Sequence, residues 1–571
     1  MDYPSAATSH LTVSLLSSSH IGTRVLVTMP GLNLLIPLAL CAGLYLLVHR
    51  IRQLGRPPKG LPPGPPTLPV LGNIHQLSLE TGHKQMTEWA KEYGSMYTLM
   101  MGPNQPVIVV SDEQKIRDLL VKRGSNFSSR PDHYMAHNVL SGSLRVIFMK
   151  YSWHLKLART LGRKVLAESV VKTTYLSYQY LESAALLQGL LEKPEDFMIH
   201  LQRFSLSFAT QITYGFRTPT HDHPLVAKIF YHLQEFSRVS GTQTAHLLNM
   251  FPILRRLPDF FLPARKHAAK LHQDEKALLV GLYQDVERKL RSGTAEPCAT
   301  SMFIEVQRKE QDQVSPDLMA YYSGSLLQAA AETTLATITG FTQAMVIFPD
   351  VAKTAQAEID RVCGDRIPCI EDWKDLKYIR GCIKESLRWM PATILGVPHS
   401  ADADDEYAGC RIPKHTAVIY NVWALHNDPK RYKDPRKFDP ARWADDDSTS
   451  SESAANEVVN KRDHFGFGFG RRMCLAMNLV DQSLFLVISR LLWGLDFNRA
   501  VDPATGLEIV PDMEDLQFGL FVMPKPFPAD IKPRSADRAQ QIRDYWQQEA
   551  EKNLDGDLQW KAVPQTSPQV V

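Results

Sequence analysis

A mainly helical fold with a few small β-sheets (α+β) is the class this sequence predicts, and three observations predict it. Apolar residues recur at helical spacing, most clearly at Leu479, Val480, Leu484, Val487, Ile488, Leu491 and Leu492. Between Pro316 and Pro349 there is no proline, which leaves room for one helix of ~33 residues and ~50 Å, far beyond the ~8–20 residues of ordinary globular helices. Strand-like runs, in contrast, are short and scattered: 95–101, 106–110 and 418–422.

The totals set limits on function. The chain has 571 residues, 44% of them hydrophobic, which is globular composition. A net charge of +3 is too small to argue for nucleic acid or an acidic substrate. The cysteines (Cys41, Cys298, Cys363, Cys369, Cys382, Cys410, Cys474) are odd in number and lack C-x-x-C spacing. That argues against a disulfide framework or a structural zinc site, and fits a reducing compartment.

Residues 1–24 read as a short lumenal tail. Residues 25–48 carry no charge; as a helix of ~24 residues they would span ~36 Å, enough for a ~30 Å hydrocarbon core with tilt. His49, Arg50, Arg52, Arg56 and Lys59 follow with no acid among them, so the positive-inside rule puts the body of the chain in the cytoplasm. A cleaved signal peptide fits less well, because the basic cluster follows the apolar run and no small-residue cleavage site precedes it. Residues 49–66 end in Leu61-Pro-Pro-Gly-Pro-Pro66, a stiff hinge in which proline fixes φ and removes N–H donors.

The spacing then predicts a helix over 84–93, the strands 95–101 and 106–110, and a capped helix from Ser111 to about Lys122. A loop-rich stretch containing Phe127-Ser-Ser-Arg130-Pro131 runs to about Lys150. Asn126-Phe-Ser128 is a glycosylation pattern that a cytoplasmic body makes an accident. A helix begins near Trp153, and residues 173–291 are generic amphipathic helix. Ser315-Pro316-Asp317 caps the long helix. At its centre stands Gln328-Ala-Ala-Ala331-Glu332-Thr333-Thr334, where small residues permit close approach and an acid adjoins an alcohol. An arbitrary helical threonine usually bonds back to its own helix.

Glu385 and Arg388 share a helix face. A surface pair of this kind contributes under ~1 kcal/mol. Residues 407–416 read as a hairpin, and 445–453 as a polar loop of disordered composition. Phe438-Asp-Pro-Ala-Arg442-Trp precedes that loop. Phe467-Gly-Phe-Gly470-Arg-Arg472-Met-Cys474-Leu-Ala476 places a cysteine in the turn that opens a helix, where free N–H groups and the helix dipole favour a thiolate. A thiolate is an axial ligand for haem iron, whereas an isolated cysteine is more often a small buried hydrophobe. Residues 531–571 read as a charged, peripheral tail with one helix over 536–552.

Taken together these segments resemble the cytochrome P450 superfamily of microsomal type, over about 61–528. The cysteine run is similar to its haem signature, with Ala476 at the final small position. The resemblance implies haem b, with Cys474 on the iron, Arg472 on a propionate, Gly470 letting the backbone approach the porphyrin, and Phe467 shielding the sulfur. It implies that Thr333, preceded by Glu332, serves oxygen binding and proton delivery. Glu385, Arg388 and Arg442 become a structural network, and His399 and Trp153 propionate contacts. The usual arginine four residues after Trp153 is Leu157 here; Lys156 and Arg159 are the substitutes, with His154 nearby. The implied domain, 67–530, is a monooxygenase of the endoplasmic reticulum membrane. It would take NADPH electrons through a reductase, with cytochrome b5 as a further partner, and hydroxylate a small apolar metabolite. Details such as the proline hinge and Gly-Val-Pro-His resemble fungal secondary-metabolism enzymes, suggesting an aromatic, polyketide or terpenoid substrate. Arg471, Lys461 and Arg462 would present a basic face to the reductase. The competing classes are a haem-thiolate isomerase or dehydratase without O2, disfavoured by the acid–alcohol pair, and a membrane-tethered binding protein without iron chemistry.

Overall fold

The computed structural model describes residues 32–78, 80–309 and 314–563, and the chain divides into two units, 1–53 and 54–571. In the first unit a helix spans Leu32–Gln53 and ends in Arg50 and Arg52; at 22 residues it is about 33 Å long. From residue 37 on its apolar side chains face outward, with Leu44 62% and Tyr45 69% exposed. Residues 1–31, which include the expected tail and the first seven residues of the expected span, lie outside the described residues. Among the described residues no single helix is long and apolar enough to cross a membrane.

The second unit is built on the long helix, Pro316–Ile347, whose Ser315 side chain accepts the Leu318 N–H as the sequence predicts. Apolar residues lie all round it, the pattern of a helix buried on every side. Its C-terminal half, with Ile338, Phe341 and Met345, packs with Trp389, Phe485 and Leu491 in one core. Its N-terminal half, with Met319, Tyr321 and Leu327, packs with Tyr178, Phe208 and Leu279 in another. Glycine permits the closest approaches: a Cβ on Gly324 would meet Leu279 at 2.6 Å.

A four-stranded sheet lies beside these helices. Met96–Met100 pairs antiparallel with Pro106–Val110, which pairs parallel with Ala417–Tyr420, which pairs antiparallel with His399–Ser400. This register fixes His399 opposite Val418. The hairpin expected over 407–416 lies over 405–412, so that Asp405 and Glu406 stand in its first strand, with Ala408 and Gly409 at positive φ in its turn.

Three expectations change. The proline run is not a free hinge: the Thr98 N–H donates to the Pro63 carbonyl at 3.0 Å, and Asn73 Nδ2 donates to Pro65 and Pro66. The run's carbonyls, which proline cannot satisfy within itself, have found donors on the first strand and on the Asn73 side chain. The polar stretch 445–453 is ordered. Thr449 and Glu452 form a capping box for a helix over Ser450–Ala455, while Asp446 pairs with Lys384 and Asp447 with Arg380. The charged C-terminal segment is sewn into the body. Its helix, Ala536–Asn553, packs on the helix Leu176–Glu192, and Trp560 is buried with its Nε1–H donating to Gln211 at 2.6 Å. The Asn126 amide is likewise committed, bonding Ala403 and Asp405.

The structure brings Glu385, Arg388 and Arg442 together. Glu385 is fully buried and accepts from Arg388 at 2.6 and 2.8 Å, from Asp439 N–H at 2.9 Å, from Trp443 Nε1 at 3.2 Å and from Arg442 Nε at 3.3 Å. Two charges removed from water are tolerable because every lone pair and the fork are used. Glu385→Ala leaves the Arg388 charge uncompensated and should lower unfolding free energy by about 3–5 kcal/mol, read by denaturant titration.

Candidate active site

Past its exposed first turn, the long helix is least covered around its centre. Ala329 is exposed, and Ala330, Glu332, Thr333 and Thr334 are half-buried, although Gln328, Ala331 and Leu335 beside them are covered. The cysteine turn has the same character. Phe467 is buried, but Arg472 through Ala476 are half-buried. Cys474 packs with Leu335 and Phe467 against one core, while Leu475 and Ala476 pack with Ala330 and Ala331 against the other. Both uncovered stretches therefore lie along the seam between the two cores.

Local geometry explains the cysteine turn. A 3-10 turn over Gly470–Arg472 precedes Cys474, and the cysteine helix itself starts at Met477. The Cys474 N–H donates to the Phe467 carbonyl at 2.9 Å, closing the loop. Gly470 has φ of +59°, and a Cβ there would lie 2.1 Å from the Leu120 carbonyl oxygen. The need for glycine thus comes from the neighbouring turn, a reason the sequence does not display. Burial pushes the Cys474 thiol up, opposed by the Ala476 N–H and by Arg159. The free chain thus holds a thiol where the helix-start argument alone expects a thiolate; a bound metal ion deprotonates such a ligand.

A cluster of cations adjoins this turn. Arg472 donates to the carbonyls of Ser128 and Met149. Arg130 donates to those of Ile147, Val397 and Pro398, and Arg159 to that of Met473 at 2.7 Å. Burial, then Arg130 and Arg159, disfavours the charge on Arg472. His399 is buried within this group. Its Nδ1 faces the Phe127 carbonyl at 2.6 Å and so carries the proton, and burial and Arg130 hold its pKa well below the usual histidine range. Among the described residues no carboxylate pairs with Arg130, Arg159 or Arg472. A guanidinium keeps its proton, so the cluster calls for an anion.

These features fit an iron porphyrin: a thiol for the metal, cations for its carboxylates, and small residues beside an uncovered seam. Cys474 would hold the iron, and Arg130, Arg159, Arg472 and His399 the propionates. Of the two expected substitutes for the arginine missing at Leu157, Arg159 is the one bonded to the cysteine turn, through the Met473 carbonyl, whereas the Lys156 ammonium lies over the Tyr151 ring. Arg130 was overlooked in the sequence because no periodicity or spacing singles it out. Trp153 starts the Arg159 helix but is 45% exposed, edge-on to His154, and does not share the arginines' contacts.

A family model described as Cytochrome P450 matches residues 62–527. This chain belongs to the cytochrome P450 family. Among relatives of this P450 is "Cytochrome P450 monooxygenase virE" of Hypocrea virens, 47% identical over 91% of this chain and 94% of the relative. "Cytochrome P450 monooxygenase fogE" of Aspergillus ruber is 45% identical over 92% and 96%, and "Cytochrome P450 monooxygenase fsoB" of Humicola fuscoatra 41% over 93% and 97%. The chain is a haem monooxygenase.

Within this P450, Thr333 Oγ1 donates to the Ala329 carbonyl at 2.7 Å, so the hydroxyl rests in its helical back-bond. Glu332 Oε2 accepts from Gln328 Nε2 at 2.9 Å. Burial raises the Glu332 carboxyl from 4.5 to about 7, with Gln328 and Arg145 opposing. A cavity of about 630 Å³ lies between the 131–154 segment and the start of the long helix, lined in part by His133, His137, Phe148, Met149 and Leu318. Of the expected reductase-facing residues, Lys461 and Arg471 are exposed, but Arg462 is buried under the Phe469 ring, bonded to the Asn456 carbonyl.

A carboxyl raised on folding stabilises the fold below its unfolded pKa, and that contribution is lost as pH rises through the folded one. Glu332 should therefore weaken the fold between about pH 4.5 and about 7. Glu332→Gln should flatten this part of the pH dependence and gain stability relative to the parent above pH 7, as measured by urea unfolding across pH.

Proposed function

We propose that this P450 takes electrons from NADPH through a membrane-bound reductase and uses O2 to oxidise a small, largely apolar metabolite of fungal secondary metabolism. The carrying observation is the conjunction of Cys474, the uncompensated arginine cluster and the Glu332–Thr333 pair along one seam. Bound haem supplies oxygen activation, and a thiolate ligand pushes electron density toward O–O cleavage.

The chain's own residues do the rest. Cys474 ligates, and the guanidinium groups of Arg130, Arg159 and Arg472 hold the cofactor's carboxylates in a site that Phe467 and Phe469 keep apolar. Glu332, with a pKa near neutrality, can hold or release a proton at working pH. Thr333 Oγ1 can accept from it and must release the Ala329 carbonyl to pass a proton on, which costs about 1 kcal/mol, the net value of one such bond. The 630 Å³ cavity has the size of a small-molecule site, but its lining includes none of Cys474, Glu332 and Thr333. Burial lowers His133 and His137 to about 4, so both line it as neutral imidazoles. Lys156, Arg163, Lys164, Lys461 and Arg471 are exposed cations around the cysteine side that suit an acidic reductase.

Anchoring at the endoplasmic reticulum with the catalytic unit in the cytoplasm is supported by the exposed apolar helix Leu32–Gln53 and the basic residues at its end. Deleting residues 1–53 should move the protein from the carbonate-resistant membrane fraction to the supernatant; retention there would rule out this anchor as the main tether. For the chemistry, the reduced, CO-bound protein should show the red-shifted Soret band of thiolate ligation, and Cys474→Ser should lose it while remaining folded. Product formation in microsomes should require NADPH and reductase; turnover without either would favour the isomerase or dehydratase class.

A further inference from the structure

Glu332 is the end of a buried polar chain that leads away from the seam. Gln328 donates through Nε2 to Glu332 Oε2 and accepts through Oε1 from Arg145 Nη1. Arg145 Nη2 donates to both oxygens of Glu275 at 2.6 and 2.7 Å, and Arg145 Nε donates to Ser141 Oγ at 2.9 Å. The Phe236 ring lies against the same guanidinium, 3.9 Å from its centroid. The Tyr321 hydroxyl stands 3.3 Å from Glu275 Oε2 and 2.8 Å from His272 Nδ1. Arg145 and Glu275 are 4% and 9% exposed, so the pair is not a surface accident.

We infer that Arg145, Gln328 and Glu275 are positioning residues that lock the orientation of the Glu332 carboxyl and confine its transferable proton to Oε1, the oxygen turned away from Gln328. The argument is one of donors and acceptors. A guanidinium can only donate. Gln328 must therefore present its oxygen to Arg145, which turns its NH2 group to Glu332 and removes the usual ambiguity of an amide flip. Glu332 Oε2 then receives an N–H whether or not the carboxyl is protonated, so a proton on Glu332 sits on Oε1. No described group donates to Oε1, which leaves it free for exchange at the seam.

The chain does not conduct protons. Neither a guanidinium nor an amide passes one on readily, so its effect is orientation and field. Arg145 is the charged side chain that acts on Glu332, drawing its pKa down against burial. Glu275 sits behind Arg145 and offsets that pull; His232, His272 and Tyr321 surround the pair, with Asp274 and Lys276 on the same helix farther out. On the side facing the helix Phe197–Tyr214 the neighbour is the neutral Ser205 hydroxyl, bonded to the Ala331 carbonyl.

This lock rests on Glu332 serving the proposed oxygenase reaction, but its test reads the carboxyl itself. In the holoprotein, the protonated-carboxyl stretch lost in Glu332→Gln is followed by infrared difference spectroscopy across pH. Arg145→Met leaves Glu275 unopposed and should move the midpoint to higher pH by about 1. Glu275→Gln leaves Arg145 unopposed and should move it to lower pH by a similar amount, about 1. Arg145→Lys keeps the charge and should stay close to the parent. Gln328→Met preserves every charge and should shift the stretching frequency and broaden the band, because the carboxyl is freed to rotate. Were Arg145→Met to fail to fold, Glu275→Gln and Gln328→Met decide alone. Midpoints that do not move, that move the same way in Arg145→Met and Glu275→Gln, or an unchanged band in Gln328→Met overturn the lock. Failure of the CO spectrum would overturn the oxygenase reading and leave these midpoints standing.

Discussion

The rest of this structure depends on one helix having apolar side chains on all sides. Pro316–Ile347 cannot lie on a surface, so the body must close round it as two cores, one on each half. Where the cores meet, the helix carries alanines, an acid and alcohols instead of leucine and phenylalanine, and cover is incomplete. A packed interior leaves few voids that are not meant to be filled. The uncovered seam, with the cysteine turn along it, is therefore where a non-protein group belongs.

Charge burial makes the same distinction. Two arginine sets, among several buried arginines in the catalytic unit, are balanced differently. Arg388 and Arg442 share Glu385, with backbone and indole donors completing the carboxylate's shell, so the set is complete in the protein alone. Arg130, Arg159 and Arg472 have carbonyls but no carboxylate among the described residues. Leaving three such charges without an anion costs several kcal/mol by comparison with water. A cofactor bearing carboxylates would complete the second set as Glu385 completes the first. Glu332 is a third case: a single acid, drawn toward ionisation by Arg145 and away from it by burial, and so poised near neutrality.

Sequence reading erred where neighbours distant in the chain decide. The stretch 445–453 has the composition of disorder, yet Lys384, Arg380 and Asp481 provide partners for its acids and backbone. Arg462 reads as a surface cation beside Lys461, but the turn directs it inward onto Phe469. The proline run is stiff as expected, but its carbonyls bind it to the first strand and to Asn73. The C-terminal helix lies within a residue of its expected bounds; the burial of Trp560 beyond it had no local signal.

By itself the sequence determined the helical class, the exceptional length of one helix, and the chemistry-bearing types at Cys474, Thr333, Glu332, Glu385 and Arg388, because spacing along one element is a local property. Cα geometry over three or four residues settles which side chains share a face, and a glycine- and arginine-flanked cysteine before a helical run is written in a single stretch. Only the tertiary structure decided which cations gather round that cysteine, why Gly470 admits no side chain, and that Gln328 turns its amide nitrogen to Glu332. Each of these depends on a partner more than a hundred residues away or on a backbone atom whose position no residue type encodes. Hydrogen bonding and charge balance act through space, and the chain reveals them only once it is folded.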